Sequence, residues 1–189
     1  MSLSRLIFPL VLCASVGLIF AAVHFGGGAF VSDIAGSESA EIQPAVELGD
    51  LLDQEAPYFD LPNISGQHIR LSDFNGEPLV LVFWSTWNNE AADQIQILDN
   101  YLAKQTGEDL VKIVAIDSQE DKSVVASFIR RGGYQIPTLV DAQGATSEEY
   151  HIKSLPTTFF IARDGVVRAA YTGVMSERML VEKIEQIVQ

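Results

Sequence analysis

The sequence predicts an α/β domain in the part of the chain that follows residue 55. Two observations lead to this prediction. Segments with strand and helix signals alternate from Ala56 to the C-terminus, and residues 79–84 are apolar at every position. A continuous apolar run of that length is typical of a central strand that is covered on both faces.

Each further element has its own local signal. Ser65-Gly66 predicts a turn between two short strands, and Asp164-Gly165 predicts a two-residue hairpin turn. Gly132-Gly133 ends one helix, and Ser176 is a suitable N-cap for the last helix. The predicted elements in order are a hairpin of 59–61 and 68–71, a helical turn at 72–74, strand 79–84, helix 90–105, strand 110–116, helix 122–131, strand 138–140, a hairpin of 157–162 and 166–171, and helix 176–188.

Composition excludes several classes of function. The chain has 189 residues, a formal net charge of −13 and one cysteine, Cys13. An acidic surface repels phosphate backbones, so we expect no nucleic-acid binding. No intramolecular disulfide can form with one cysteine, and thiol–disulfide exchange needs a thiolate that residues 14–189 do not contain.

The N-terminus carries an apolar run over residues 6–25, which is long enough to span a membrane as a helix. We favour an uncleaved transmembrane anchor, and a cleaved secretory signal is the alternative. Arg5 flanks the start of the run, whereas residues 31–60 carry eight acids and no base. The positive-inside bias therefore predicts that the domain lies on the periplasmic or extracellular side.

Three regions follow from these signals. Residues 1–28 are the predicted anchor or signal, residues 29–54 an acidic flexible linker, and residues 55–189 the folded domain. Gly, Ser, Ala and Glu dominate the linker, and Pro44 interrupts it. A short helix is predicted at 45–54.

Several motifs resemble one family in order and spacing. Residues 56–61 read APYFDL, residues 71–76 read LSDFNG, residues 83–91 read FWSTWNNEA, and residues 155–159 read LPTTF. Together they resemble membrane-anchored thioredoxin-like proteins of the ResA/TlpA type, which are related to the AhpC/TSA redoxins. The resemblance covers about residues 55–189 and implies a thioredoxin-like fold with a central mixed β-sheet flanked by helices.

The departures from that family fall at its reactive positions. The resemblance assigns the two active-site cysteines to Asn88 and Ala91, and it assigns a frequent glutamate to Gln94. We therefore expect no catalytic residues and no redox chemistry, which would make the chain a pseudo-oxidoreductase. Asn88, Asn89 and Glu90 have a plain structural interpretation, because they suit the start of a helix.

The same turn is also a candidate surface for binding a polypeptide. Trp87 is a candidate anchor, since Trp is enriched in binding hot spots, although it is equally suited to cover the helix start. The resemblance implies a cis-proline at Pro156, beside which an extended chain can pair. The candidate binding residues are Trp84, Trp87, Asn88, Asn89, Glu90, Leu155, Pro156 and Thr157, of which Trp84 is also expected in the core.

Metal and cofactor sites are not expected. His24, His68 and His151 lie far apart in the sequence, and no cysteine of the domain can join them. The acid pairs Glu120-Asp121 and Glu148-Glu149 are interpreted as solvated surface.

Three functions stay open at this point. The first is a redox-inactive, membrane-tethered domain that binds a polypeptide of the cell envelope, with cytochrome c maturation or disulfide pathways suggested by family analogy alone. The second is an enzyme, either the thiol–disulfide oxidoreductase that the family label implies or one in which Asn88, Glu90 and Gln94 serve a different chemistry. The third is a purely structural subunit of an envelope complex.

Overall fold

A computed structural model describes residues 49–106 and 110–188 of the chain. The predicted anchor and most of the predicted linker lie outside these residues. In chain order the elements are β1 (Asp60–Pro62), β2 (His68–Arg70), β3 (Leu79–Trp84), α1 (Ala91–Lys104), β4 (Lys112–Ser118), α2 (Lys122–Gly132), β5 (Thr138–Asp141), α3 (Ala145–Glu149), β6 (Thr157–Ile161), β7 (Val167–Thr172) and α4 (Glu177–Ile184). One-turn 3-10 helices occupy Gly49–Leu51 and Leu71–Phe74.

Five strands form the central sheet in the order β5-β4-β3-β6-β7, and β1 and β2 form a separate antiparallel pair. The neighbouring strands β3, β4 and β5 are parallel, whereas β6 and β7 run antiparallel to their neighbours. The sheet is therefore mixed, as predicted. Its parallel part brings the C-terminal ends of β3 and β4 together, with Trp84 paired to Asp117.

Every side chain of β3 is buried, which agrees with its continuous apolar sequence. Alternate residues face opposite sides of the sheet because the side-chain period of a strand is two. Val80, Val82 and Trp84 pack with α1, α2 and α4. Leu79, Leu81 and Phe83 pack on the other side with Phe59 and Tyr150. The sheet thus lies between two apolar layers.

Local signals explain several of the element ends. Gly133 follows α2 with a φ of 71°, the left-handed conformation that glycine adopts without a Cβ penalty. Gly165 has a φ of 81° in the turn between β6 and β7, where Asp-Gly was expected. Ser176 caps α4 by accepting a hydrogen bond from the Met179 N–H at 3.3 Å. These three predictions are confirmed.

The structure differs from the predicted elements by more than one residue in four places. Strand β4 covers Lys112–Ser118, where 110–116 was expected. Helix α3 was not predicted, because five mostly polar residues carry no apolar periodicity. Helix α4 ends at Ile184, where Val188 was expected. The helix predicted at 45–54 is described only from residue 49 onward, as one 3-10 turn.

Within residues 49–106 and 110–188, no helix is long and apolar enough to cross a membrane. The apolar run at 6–25 lies outside that part of the chain.

Candidate functional site

The candidate site is built on the segment of residues 85–90, here called the 85–90 turn, which joins the end of β3 to the start of α1. Its first residue is fully buried, and the Ser85 Oγ donates a hydrogen bond to the Ser118 carbonyl at 2.9 Å. Ser118 is the last residue of β4. This bond therefore fixes the start of the turn against the neighbouring parallel strand.

Glu120 holds the next residue of the turn. Its carboxylate accepts hydrogen bonds from the Thr86 N–H and, at 2.7 Å, from the Thr86 Oγ1 hydroxyl. Interpreting Glu120 as free surface was wrong, because the ends of β3 and β4 meet at one edge and bring Glu120 to the turn. That topological rule for parallel strands is the signal from which the contact was predictable.

Asn88 joins the turn to the loop before β6. Its Nδ2 donates to the Leu155 carbonyl at 2.7 Å, and its Oδ1 accepts from the Glu90 N–H at 2.7 Å. The second bond closes a turn ahead of α1 and does not cap the helix, because Glu90 is itself the N-cap residue and α1 has no side-chain cap hydrogen bond. The capping expected of Asn88 is therefore not what the structure has, and its side chain instead joins the turn to the loop before β6.

The two tryptophans differ completely in exposure. Trp87 is 67% exposed, whereas Trp84 is fully buried and its ring lies 5.1 Å from that of Phe128 in α2. Direct contact of Trp84 with a partner is therefore a wrong prediction, because its side chain belongs to the core. Trp87, Asn89 and Glu90 are the exposed candidates of the turn.

The loop before β6 contains the predicted cis peptide bond, between Leu155 and Pro156. Thr157 is not available to a partner, since it pairs with Phe83 on one side and with Thr172 on the other. Its hydroxyl also donates to the Ser154 carbonyl at 2.8 Å. Pro156 is buried and Leu155 is half-buried. Of this loop, only Leu155 stays a candidate for direct contact.

Gln94 lies in the first turn of α1. It is fully buried, and its Oε1 accepts a hydrogen bond from the Met175 N–H at 2.9 Å. The amide therefore ties α1 to the segment that precedes α4. Its observed role is structural.

A buried acid that sequence reasoning missed lies beside the turn. Asp117 is fully buried at the end of β4, next to Trp84 in the sheet register. Burial first, and then the neighbouring Glu120, raise the pKa of its carboxyl to about 9. At neutral pH this group is therefore uncharged. The strand predicted from the sequence ended at residue 116, one position before Asp117, so nothing in the sequence indicated that this carboxyl is buried.

The chemistry available at the 85–90 turn is hydrogen bonding and apolar contact. Asn88 and Ala91 carry no thiol, and Cys13 lies outside the described residues. His68 pairs with Asp60, with 2.6 Å between Nδ1 and Oδ1, on the exposed face of the hairpin. Among the described residues, no group of three or more His, Cys, Asp or Glu side chains is arranged to hold a metal ion.

An apolar cavity of about 570 Å³ lies at the opposite end of the sheet, near the start of β4 and β5. Leu102, Val111 and Ile136 contribute to its walls. None of the candidate binding residues lines it, so the candidate site is a surface and not this cavity.

This fold, with its mixed five-stranded sheet and the cis-proline before β6, is that of thioredoxin-like proteins. Residues 52–170 match the AhpC/TSA family. The chain belongs to that family.

Individual relatives agree with this assignment. The chain is 33% identical over 126 residues to the thiol-disulfide oxidoreductase ResA of Bacillus subtilis, which covers 67% of this chain and 70% of ResA. It is 28% identical over 185 residues to ResA of Bacillus thuringiensis subsp. konkukian, which covers 98% and 95% of the two chains. The pneumococcal exposed lipoprotein thioredoxin of Streptococcus pneumoniae shares the fold, with a TM-score of 0.61, 24% identity and coverage of 68% of this chain and 98% of that one.

Proposed function

We propose that this protein is a redox-inactive, membrane-tethered thioredoxin-like domain that binds an extended polypeptide segment of another envelope protein. The binding surface, here called the docking face, consists of Trp87, Asn88, Asn89, Glu90 and Leu155. The partner contacts it outside the cytoplasm.

The observation that carries the proposal is Trp87, which is 67% exposed at the 85–90 turn. An exposed Trp costs solvation free energy, and it is the side chain most enriched among residues that dominate binding energies. Leu155, across the contact made by Asn88, adds a half-buried apolar side chain to the same face. Such a mixture of apolar side chains and main-chain groups suits a polypeptide partner.

The absence of redox chemistry follows from the residues at the reactive positions. Disulfide exchange begins when a thiolate attacks a sulfur atom. Asn88 and Ala91 supply no sulfur, and Asn88 is already engaged in two hydrogen bonds. The face therefore holds a partner without forming a covalent intermediate.

The tether and the location are supported by the N-terminal sequence. The run at 6–25 has the length of a membrane-spanning helix, and Arg5 precedes it. The similarity to ResA of Bacillus thuringiensis covers 98% of this chain, so it includes most of the N-terminal segment. A fold relative is an exposed lipoprotein, which agrees with an extracytoplasmic domain.

The test is site-specific photo-crosslinking in the native membrane, with the full chain. A benzophenone amino acid replaces Trp87 in one variant and Tyr58 in the other, since Tyr58 is a matched exposed aromatic residue at 61% exposure. We expect a defined protein adduct from position 87, at least about fivefold more abundant than from position 58.

Equal adduct yields from positions 87 and 58 would contradict the docking face. Adducts from position 58 alone would favour a structural subunit that uses another surface.

A second candidate is a thiol–disulfide oxidoreductase, because the curated relatives carry that name. In this chain it would have to use Cys13, which is the sole thiol. Insulin reduction by the full chain and by its Cys13→Ser variant tests this activity directly. Turnover that Cys13→Ser abolishes would replace the binding proposal with this one; we expect no turnover from either.

A further inference from the structure

Asn88 makes the two hydrogen bonds that one peptide unit of a bound strand would make. A side-chain carboxamide has one carbonyl and one NH₂ group, and it therefore imitates a main-chain amide. Here the NH₂ group donates to the Leu155 carbonyl, and the carbonyl oxygen accepts from the Glu90 N–H. Both main-chain groups belong to the docking face.

Two other main-chain N–H groups near the helix start are paired within the chain. The Ala91 N–H donates to the Asn88 carbonyl, and the Gln94 N–H donates to the Glu90 carbonyl. The Glu90 N–H and the Leu155 carbonyl are thus the donor and acceptor that Asn88 holds by its side chain alone. A side chain can rotate away from both without unfolding the turn.

Strand addition depends on main-chain hydrogen bonds, whereas pockets for side chains give specificity. An extended polypeptide that crosses the docking face would donate to the Leu155 carbonyl and accept from the Glu90 N–H. The Asn88 carboxamide occupies both groups and lies between them, so the incoming strand has to displace it.

We propose that Asn88 is an internal competitor of the partner: its carboxamide occupies the main-chain groups that an extended polypeptide uses. This inference rests on the proposed function and names the mode of recognition. The partner is bound through its backbone, with Trp87 beside it. The affinity depends on the free energy needed to displace the Asn88 side chain from its two hydrogen bonds.

Removing the competitor should therefore strengthen binding. Asn88→Ala frees both groups, and we expect the affinity for an extended polypeptide to rise about threefold to tenfold, the change expected when one or two ordinary hydrogen bonds no longer compete. Asn100→Ala is the matched control, because Asn100 is an exposed Asn of α1 that accepts a hydrogen bond from Gln96. It should stay within about twofold of the parent protein.

The probe is fluorescein-labelled, reduced and carboxamidomethylated lysozyme, an unfolded cationic polypeptide without thiols. Its positive charge suits a protein of net charge −13. Binding to the full chain in detergent is measured by fluorescence anisotropy. Hydrogen exchange of the Glu90 amide is measured on the same samples, and it should become about tenfold faster when Asn88 no longer accepts from it.

A second variant tests the same inference if Asn88→Ala does not fold. Asn88→Asp keeps an acceptor for the Glu90 N–H but cannot donate to the Leu155 carbonyl, so it frees the Leu155 carbonyl alone. Asn100→Asp adds the same charge outside the docking face and keeps the acceptor for Gln96, so the difference between the two variants isolates the effect of the carboxamide. We expect Asn88→Asp to bind the probe more tightly than Asn100→Asp.

The outcomes separate this inference from the proposed function. If Trp87→Ala weakens binding while Asn88→Ala and Asn88→Asp bind no more tightly than their controls, the docking face stands and the competitor is refuted. If neither the parent chain nor any variant binds the probe, the competitor is refuted, and absence of adducts from position 87 would then refute the docking face as well.

Discussion

Residue 117 shows how one buried side chain makes stability depend on pH. Asp117 is fully buried, and its pKa is raised to about 9, chiefly by burial. In the unfolded chain the same carboxyl ionises near its ordinary value of 3.8. The folded state therefore binds a proton that the unfolded state does not, and this group costs stability progressively as the pH rises from about 4 to about 9.

Asp117→Asn should remove that cost, because an amide needs no proton to be neutral. We expect the free energy of unfolding of the variant, relative to the parent, to increase by about 4 kcal/mol between about pH 5 and about pH 8. Urea denaturation at the two pH values measures it. Asp93→Asn, on the exposed face of α1, is the control and should show no such trend. A gain that is the same at both pH values would contradict the assignment.

For single residues, the sequence predicted whether a side chain is buried or exposed better than it predicted which residues that side chain contacts. The exposure of Trp87 and the burial of Trp84 followed from their places after and within an apolar strand. The contact of Asn88 with Leu155 did not, since it joins residues 67 positions apart and depends on the place of β6 in the sheet, which local patterns do not determine. The contact of Glu120 with Thr86 was not predicted either, although the rule that parallel strands end at one edge of a sheet brings these two residues together.

Among the elements, α4 illustrates how a helix start was identified correctly. Ser176 has extended backbone angles and its side chain accepts from the Met179 N–H. Ser176→Ala should therefore lower the free energy of unfolding by about 1 kcal/mol, because one N–H of the first turn loses its acceptor.

Thermal or urea denaturation measures this loss. Ser123→Ala is the control, because Ser123 is an exposed residue within α2. Equal effects of the two substitutions would mean that the cap contributes nothing specific.

Strands and long helices were predictable because their periodicity is repeated over many residues. The 3-10 turn at Leu71–Phe74 was also expected, from its position before Asn75-Gly76. Helix α3 was missed for the opposite reason, since Ala145–Glu149 is too short for a period to appear. Side-chain hydrogen bonds hold α3 in place. Asp141, at the end of β5, accepts from the Ser147 N–H and, at 2.9 Å, from the Ser147 hydroxyl.

The molecule as a whole has a thioredoxin-like fold, and residues 88 and 91, which carry no thiol, lie at the start of its first long helix. The Ala91 N–H donates to the Asn88 carbonyl at 3.1 Å, so residues 88 and 91 are one turn apart. That spacing brings two side chains within the range of a disulfide. The double substitution Asn88→Cys and Ala91→Cys, in a Cys13→Ser background, should therefore close an intramolecular disulfide under mild oxidants.

Mass spectrometry after alkylation distinguishes the closed from the open form, and insulin reduction reports any regained activity. The single Asn88→Cys variant is the control, because it cannot form the intramolecular bond. If both cysteines stay free for alkylation after oxidation, the turn does not hold residues 88 and 91 within disulfide distance.

The chain enters the domain along β7, and this has a mechanical consequence. Three backbone hydrogen bonds join residues 53–56 to residues 165–167: from Asp53 to Val167, from Val167 to Gln54, and from Ala56 to Gly165, each at 2.9 Å. Tension on the N-terminal segment has to break these bonds before it reaches β1. A force applied to the N-terminal segment is thus borne by the far edge of the sheet, next to β6, and not by the 85–90 turn.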